Sequence, residues 1–238
     1  MAKRIGVLVT GHVPDDLKPR YGTYSTMFDG LMKAADPTLE TVAIDVVGGE
    51  PLPADVAAYD GYIITGSRHG AYEDHAWIPP LEDFIRKAAD QNVPNVGICF
   101  GHQLMAQAFG GKVEKSNKGW GVGLNSYDIQ DTLPVAHGDL APVNVPVMHQ
   151  DQVVEAPKNG TLIAGWNFCP LGGFQYPGGA ISFQFHPEFA SDYLGDLIAA
   201  RRGVVIPADQ ADGGLESLKS PNDDRFRVAN WMARHLTA

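Results

Sequence analysis

The amino-acid sequence predicts an α/β fold: an open, mainly parallel sheet with helices on both faces and a mixed or antiparallel strand extension. Two observations carry this. Up to about residue 110, short β-branched runs alternate with longer stretches of helical apolar spacing, the pattern of βαβ units. From about residue 112, Gly, Pro and Asn become frequent and short alternating runs follow one another, as in antiparallel strands.

Residues 4–10 (RIGVLVT), 41–47, 61–65 and 95–98 are the strand candidates of the first half. Their apolar side chains fall on both faces, which a sheet covered on both sides requires. Between them, residues 24–35, 78–91 and 102–110 place apolar side chains at helical intervals. The strand extension comprises the runs 112–116, 121–129, 143–148, 161–166 and 180–185. Residues 191–202 and 223–236 read as helices, the second with Phe226, Val228, Ala229, Met232 and Leu236 near one stripe. The Gly-, Pro- and Asp-rich segment 203–221 reads as a surface loop, and 13–24 as a solvated one. No internal repeat or linker interrupts the chain, so residues 1–238 read as a single domain.

Hydrophobic residues make up 44% and charged residues 19%, which places the chain among ordinary globular proteins. The formal net charge of -10 repels phosphate backbones and anionic bilayers, so neither nucleic acid nor membrane is an expected partner. The basic pair near the N-terminus precedes an apolar run too short for a signal peptide, and no stretch approaches the roughly 20 apolar residues of a bilayer span. Two cysteines supply no disulfide framework and no zinc quartet, so a reducing cytoplasm is expected.

Residues 97–101 read Gly-Ile-Cys-Phe-Gly, directly after an apolar strand and directly before a helical pattern. Small residues on either side permit a sharp strand-to-helix turn with Cys99 at its apex, the nucleophile-elbow arrangement with Cys in place of Ser. At a helix N-terminus the dipole and the free N–H groups favour a thiolate, and the Phe100 N–H can donate to an oxyanion. A lone cysteine is more often an inert core residue. The glycine frame is what argues otherwise here.

A nucleophilic thiol needs an imidazole, and the imidazole needs an orienting group. Of the eight histidines, His186 follows an apolar strand and is separated from Glu188 by one proline. A structural histidine closing a strand is the competing reading. A zinc-deaminase motif is excluded because no PCxxC follows. The other histidines (12, 69, 75, 102, 137, 149 and 235) show no HExxH or clustered ligand spacing, so neither metal nor other cofactor is expected.

The blocks GICFGHQLMAQAFGG (97–111) and FQFHPEF (183–189) together resemble the two signature blocks of class I, triad-type glutamine amidotransferases. The resemblance runs over most of residues 3–190 and implies a flavodoxin-like sheet. It also implies a Cys99, His186, Glu188 triad, with Gly66, Ser67 and Phe100 at the oxyanion and Gln103 near the substrate. His149, Gln150 and Asp151 match a loop that helps bind the substrate's amino-acid end. GWGVG (119–123) and the helical C-terminus look like stand-alone proteins near the GMP synthase glutaminase domain.

No GxGxxG or GxxxxGK[ST] phosphate loop accompanies these blocks, so an ATP-dependent synthase reaction is not expected of this polypeptide alone. Three readings follow. The first is an amidohydrolase that takes glutamine, forms a γ-glutamyl thioester and releases ammonia, freely or to a separate synthase subunit. The second is a γ-glutamyl peptidase or hydrolase with the same chemistry and a larger leaving group, its acceptor contacted by Arg20, Tyr21 and Tyr24. The third is a catalytically silent binding module, disfavoured by the complete set of three residues. An esterase is disfavoured by Glu188 following His186, since α/β-hydrolases place the acid first.

Overall fold

The computed structural model describes residues 2–238. In chain order the elements are β1 (Lys3–Leu8), α1 (Lys18–Tyr21), α2 (Tyr24–Ala35), β2 (Leu39–Ile44), β3 (Gly61–Ile64), α3 (Ile78–Asp90), β4 (Asn95–Ile98) and α4 (Phe100–Ala108). There follow β5 (Lys112–Lys115), β6 (Gly121–Ile129), β7 (Val143–His149), β8 (Asp151–Glu155), β9 (Thr161–Gly165), β10 (Gly173–Tyr176) and β11 (Ala180–Phe183). Helices α5 (Ser191–Arg201), α6 (Ala208–Ser217) and α7 (Arg225–Thr237) close the chain.

One nine-stranded sheet runs β2-β1-β3-β4-β11-β10-β9-β6-β7, and β5 pairs with β8 in a separate ribbon. The first five positions are parallel. Beyond β11 every pairing is antiparallel. The parallel part therefore has the doubly wound order expected, with the late strand β11 inserted beside β4, which brings residues near 185 next to residues near 99.

Strand side chains alternate between two cores. Ile5, Val7, Ile63, Val96 and Ile98 meet Phe28 and Met32 of α2 and Val228 and Trp231 of α7 on one face. Leu8, Tyr62 and Ile64 meet Leu81 and Ile85 of α3 and Leu104 of α4 on the other. Burial of this kind on both faces of a parallel sheet accounts for the unbroken apolar strands.

Four departures from the sequence reading are physical rather than accidental. Segment 203–221 contains α6, whose Gly213 and Gly214 mask its helical character. Gly214 lies flat on β6, where an added Cβ would meet Val122 Cγ2 at 2.9 Å. Short strands β8 and β10 lie outside the runs read as strands; only Gln150 separates β8 from β7, and β8 leaves the main sheet to pair with β5. Phe226 is exposed and Trp231 takes the place expected for it on the buried stripe of α7. In the 13–24 segment, Arg20 Nη1 and the Tyr21 hydroxyl both donate to Asp196 Oδ2 of α5 at 2.6 Å, which pins α1 to the body.

Candidate active site

The C-terminal ends of β3, β4 and β11 converge on Cys99. It is the hinge between β4 and α4, with φ 52 and ψ -99, a left-handed conformation that strains a residue with a side chain. Its N–H donates to the Phe183 carbonyl of β11 at 2.8 Å, which holds the turn against the neighbouring strand. The flanking glycines are required by close approach. A Cβ on Gly97 would come 2.6 Å from the Gly101 carbonyl oxygen, and one on Gly101 would come 2.9 Å from Ile64 Cβ on β3.

After β11 the chain bends and turns over residues 184–188, which brings Gln184 and His186 to Cys99 and Glu188 behind His186. The His186 N–H donates to the Pro146 carbonyl of β7 at 2.8 Å, and its ring stacks on Phe189 with centroids 4.0 Å apart and planes 5° from parallel. His186 Nδ1 donates to Glu188 Oε1 at 2.7 Å. Both side chains are almost fully buried, and Glu188 Oε2 has no hydrogen-bond partner. Burial by itself would depress the His186 pKa, but the Cys99 thiolate and the Glu188 carboxylate outweigh it and push the imidazole up to about 10. A thiol on a strained turn, an imidazole and a carboxylate in this order form a set capable of nucleophilic acyl transfer.

The remaining expected residues surround this set. Gly66 follows β3, and a Cβ there would lie 2.8 Å from His186 Cε1 and 3.8 Å from Cys99 Cβ. The position of Gly66 is fixed by a buried knot: the Thr10 hydroxyl donates to the Thr65 carbonyl at 2.8 Å, and the Thr10 N–H to Thr65 Oγ1 at 3.0 Å. Phe100, buried, packs its ring on Trp77 at 5.5 Å, and as the first residue of α4 its N–H has no partner within the helix. Gln103 Nε2 donates to the Asp151 carbonyl at 2.9 Å and to Gln184 Oε1 at 3.1 Å. Gln184 Nε2 in turn donates to Cys99 Sγ at 3.5 Å.

His149 Nδ1 donates to the Asp151 carbonyl at 3.1 Å, and burial lowers its pKa to about 4, so it is a neutral acceptor whose Nε2 is unpartnered. Burial raises the Asp151 carboxyl above its ordinary value, and Tyr72 is its hydrogen-bond partner. His102, although adjacent in sequence to the elbow, is held neutral by burial at a pKa of about 3 between Ser182 Oγ at 2.8 Å and the Leu171 carbonyl at 3.1 Å. It braces α4 against β11.

Two cavities meet here. One, of about 410 Å³, is bordered by Cys99, Gln103, His149, Gln150, Asp151 and Lys115. The other, of about 340 Å³, lies on the His186 side and is bordered by Gly66, Tyr24, Phe189 and the 11–15 loop. Ser67, Arg68, His69, Met148 and Arg201 border both. Whereas Arg20 pairs with Asp196 and Arg202 with Asp212, neither Arg68 nor Arg201 has a carboxylate partner among the described residues.

Sequence reasoning did not single out Gln184, Arg68 or Arg201. Gln184 carried a signal, since it stands two residues before His186 at the end of a run read as a strand, where alternate residues share a face. The arginines carried none, because they face the cavities from a loop and from the last turn of α5. His69, Glu73 and His75, separated by the spacing H-x3-E-x-H, are drawn together at the cavity wall, although no ligand pattern was expected there.

A family model for glutamine amidotransferase class-I matches residues 38–204. The chain is 35% identical over 206 residues to gamma-glutamyl peptidase 4 of Arabidopsis thaliana, spanning 83% of this chain and 81% of that one. It is 29% identical over 231 residues to gamma-glutamyl peptidase 3 of the same plant, spanning 94% and 92%. Among solved structures, a glutamine amidotransferase from Thermotoga maritima superposes with a TM-score of 0.75 at 18% identity, covering 100% of both chains, a likeness of fold.

Proposed function

Since the chain belongs to the class I glutamine amidotransferase family, we propose that it is a cysteine-dependent γ-glutamyl hydrolase whose leaving group is larger than ammonia. In this reading Cys99 attacks the γ-carbonyl, and backbone N–H groups at Gly66 or Ser67 and at Phe100 receive the oxyanion. His186, oriented by Glu188, gives its proton to the departing amine. Water then attacks the γ-glutamyl thioester, with His186 taking a proton back, and glutamate leaves. Asp151, Gln150, Gln103 and His149 would hold the amino-acid end of the substrate in the cavity beside Cys99, where Asp151 and the His149 Nε2 lone pair are suited to an ammonium group.

The observation that carries this reading is the second cavity. Ammonia occupies far less than 340 Å³, and the cavity opens on the side of His186 from which the protonated leaving group must depart. Two guanidiniums without carboxylate partners border it in a chain of net charge -10, which suits a leaving group that itself bears a carboxylate. The two plant relatives are named as γ-glutamyl peptidases, in agreement with this. Among the described residues no helix is long and apolar enough to cross a membrane.

The experiment is a comparison of kcat/KM for glutamine and for γ-glutamyl dipeptides with the purified chain. Dipeptides are expected to be preferred by about tenfold or more, given the worth of one charged hydrogen bond. Turnover of glutamine with no dipeptide cleavage would overturn the reading in favour of a glutaminase that supplies ammonia to a separate synthase subunit.

A further inference from the structure

Between β3 and α3 the chain folds three ligand-bearing side chains onto one point. Glu73 Oε2 accepts from His69 Nδ1 at 3.1 Å and from His75 Nε2 at 2.7 Å, and the three ligand atoms lie within 4.8 Å of one another. Ligand atoms that share one cation at 2.0–2.2 Å stand about 3.0–3.5 Å apart in octahedral or tetrahedral geometry. Small rotations of partly exposed side chains bridge that difference.

The backbone of this segment is already arranged for it. The His69 N–H donates to Ser67 Oγ at 3.1 Å, the Glu73 N–H to the Gly70 carbonyl at 3.0 Å, and the His75 N–H to the Glu73 carbonyl at 3.0 Å. The Ile78 N–H then donates to the His75 carbonyl at 3.0 Å, which joins the segment to α3. The imidazoles are confined as well. His75 stacks on Trp77 with planes 14° apart, and the His69 and His75 rings meet at 4.2 Å. Side chains ordered in this way lose little further freedom when they bind an ion.

We propose that His69, Glu73 and His75 form a binding site for one divalent first-row transition metal of the zinc class. Two imidazoles and one carboxylate suit Zn²⁺, Co²⁺, Ni²⁺ and Cu²⁺, whereas Mg²⁺ and Ca²⁺ select oxygen ligands. Coordination through His69 Nδ1 and His75 Nε2 displaces the two hydrogens now donated to Glu73, each imidazole keeping its hydrogen on the other ring nitrogen. Three protein ligands leave a coordination position open. That position is beside substrate space, since His69 borders both cavities and Glu73 the one that contains Cys99. Trp77 lies between the site and Phe100, so occupation is one aromatic contact from the residue that follows Cys99. The site is independent of the leaving group proposed above.

The test is a titration of the full-length, tag-free chain with CoCl₂, followed by calorimetry and visible absorption, and with CuCl₂, followed by tryptophan fluorescence. One Co²⁺ per chain is expected, with bands of nitrogen and oxygen coordination and no thiolate charge-transfer band. Cu²⁺ is expected to quench one emission component that is missing from Trp77→Phe. Glu73→Gln and His75→Gln should each weaken Co²⁺ by about tenfold or more, at least as much as losing a group that merely supports a ligand. Both positions are partly exposed, and circular dichroism checks that the variants fold. Unchanged Co²⁺ affinity in both variants overturns the site, as does a thiolate band that vanishes in Cys99→Ala, or binding only at millimolar metal.

Discussion

A methyl group on Gly66 would lie 2.8 Å from Cε1 of His186, so the end of β3 and the imidazole are in contact with no room for a side chain between them. His186 cannot simply yield, because its ring is stacked on Phe189 and its Nδ1 is bonded to Glu188. Gly66→Ala is therefore expected to displace the imidazole and the strand end from each other. A misplacement near 1 Å costs about 10²-fold in rate. The check is kcat/KM on a γ-glutamyl dipeptide together with a thermal melt; the activity should fall by that amount while the melting temperature changes little. Full activity in the variant would mean that the strand end does not contribute to the oxyanion site.

The raised pKa of His186 makes both stability and activity depend on pH. Burial opposes its charge, and Cys99 and Glu188 overcome that opposition to carry it from 6.5 to about 10. The folded state then holds a proton that the unfolded state has released between those two values. The contribution of this group is thus fully present below about pH 6.5 and is lost as pH rises through about 10. Melting temperature should decline over that interval in the native chain, and less so in His186→Gln. Glu188→Gln removes one of the two charges that support the imidazolium. In that variant the alkaline limb of kcat/KM should move toward neutrality and the rate fall by about 10²–10⁴-fold, as when an orienting carboxylate is lost from a triad. A pH–rate profile unaltered in Glu188→Gln would remove the carboxylate from the mechanism.

Which parts of this were legible in the sequence follows from the range of the interactions involved. The elbow is local: Gly97 and Gly101 are needed because the chain comes back on itself within a few residues and against β3, so their spacing alone exposes the turn. His186 and Glu188 are also local to one another, and strand β11 delivers them to Cys99 because it pairs with β4. The parallel sheet was readable because strands buried on both faces need unbroken apolar runs. Helix α6 was not, since Gly213 and Gly214 lower its helical signal and the need for Gly214 comes only from contact with β6; beside that contact Ser217 Oγ accepts from the Leu124 N–H at 2.8 Å and Gln210 Oε1 from the Trp120 N–H at 3.0 Å. Arg68 and Arg201 gain meaning only from the cavities between them, which no pattern within a single segment encodes.

Gln103 links the helix behind the elbow to the loop after β7. Its Nε2 supplies the Asp151 carbonyl and Gln184 Oε1, and Gln184 supplies Cys99 Sγ. Gln103→Leu preserves bulk but leaves the buried Gln184 Oε1 without a donor, and the Asp151 carbonyl with only His149 Nδ1. An unsatisfied buried group costs about 1–3 kcal/mol, so a single loss of stability within that range is expected in urea denaturation. The loop bearing His149 and Asp151 should also loosen, raising KM more than it lowers kcat. A drop confined to kcat would instead place Gln103 with the reacting thiol rather than with substrate binding.

Arg68 and Arg201 offer the sharpest test of what leaves when the thioester forms. Both border the cavity on the His186 side and neither has a carboxylate partner among the described residues, so each is available to a negatively charged leaving group. The informative pair of substrates is γ-glutamylglycine and γ-glutamylglycinamide, which differ only in that charge. A charged hydrogen bond is worth about 1.5–3 kcal/mol, so the native chain should prefer the free acid by about tenfold or more. Arg68→Ala and Arg201→Ala should each reduce this preference, with the loss falling on the acid rather than on the amide. Arg68→Lys should restore only part of it, since an ammonium cannot form the paired bonds of a guanidinium. Equal turnover of acid and amide by the native chain would show that the arginines serve another purpose, and the leaving group would then be sought among neutral amines.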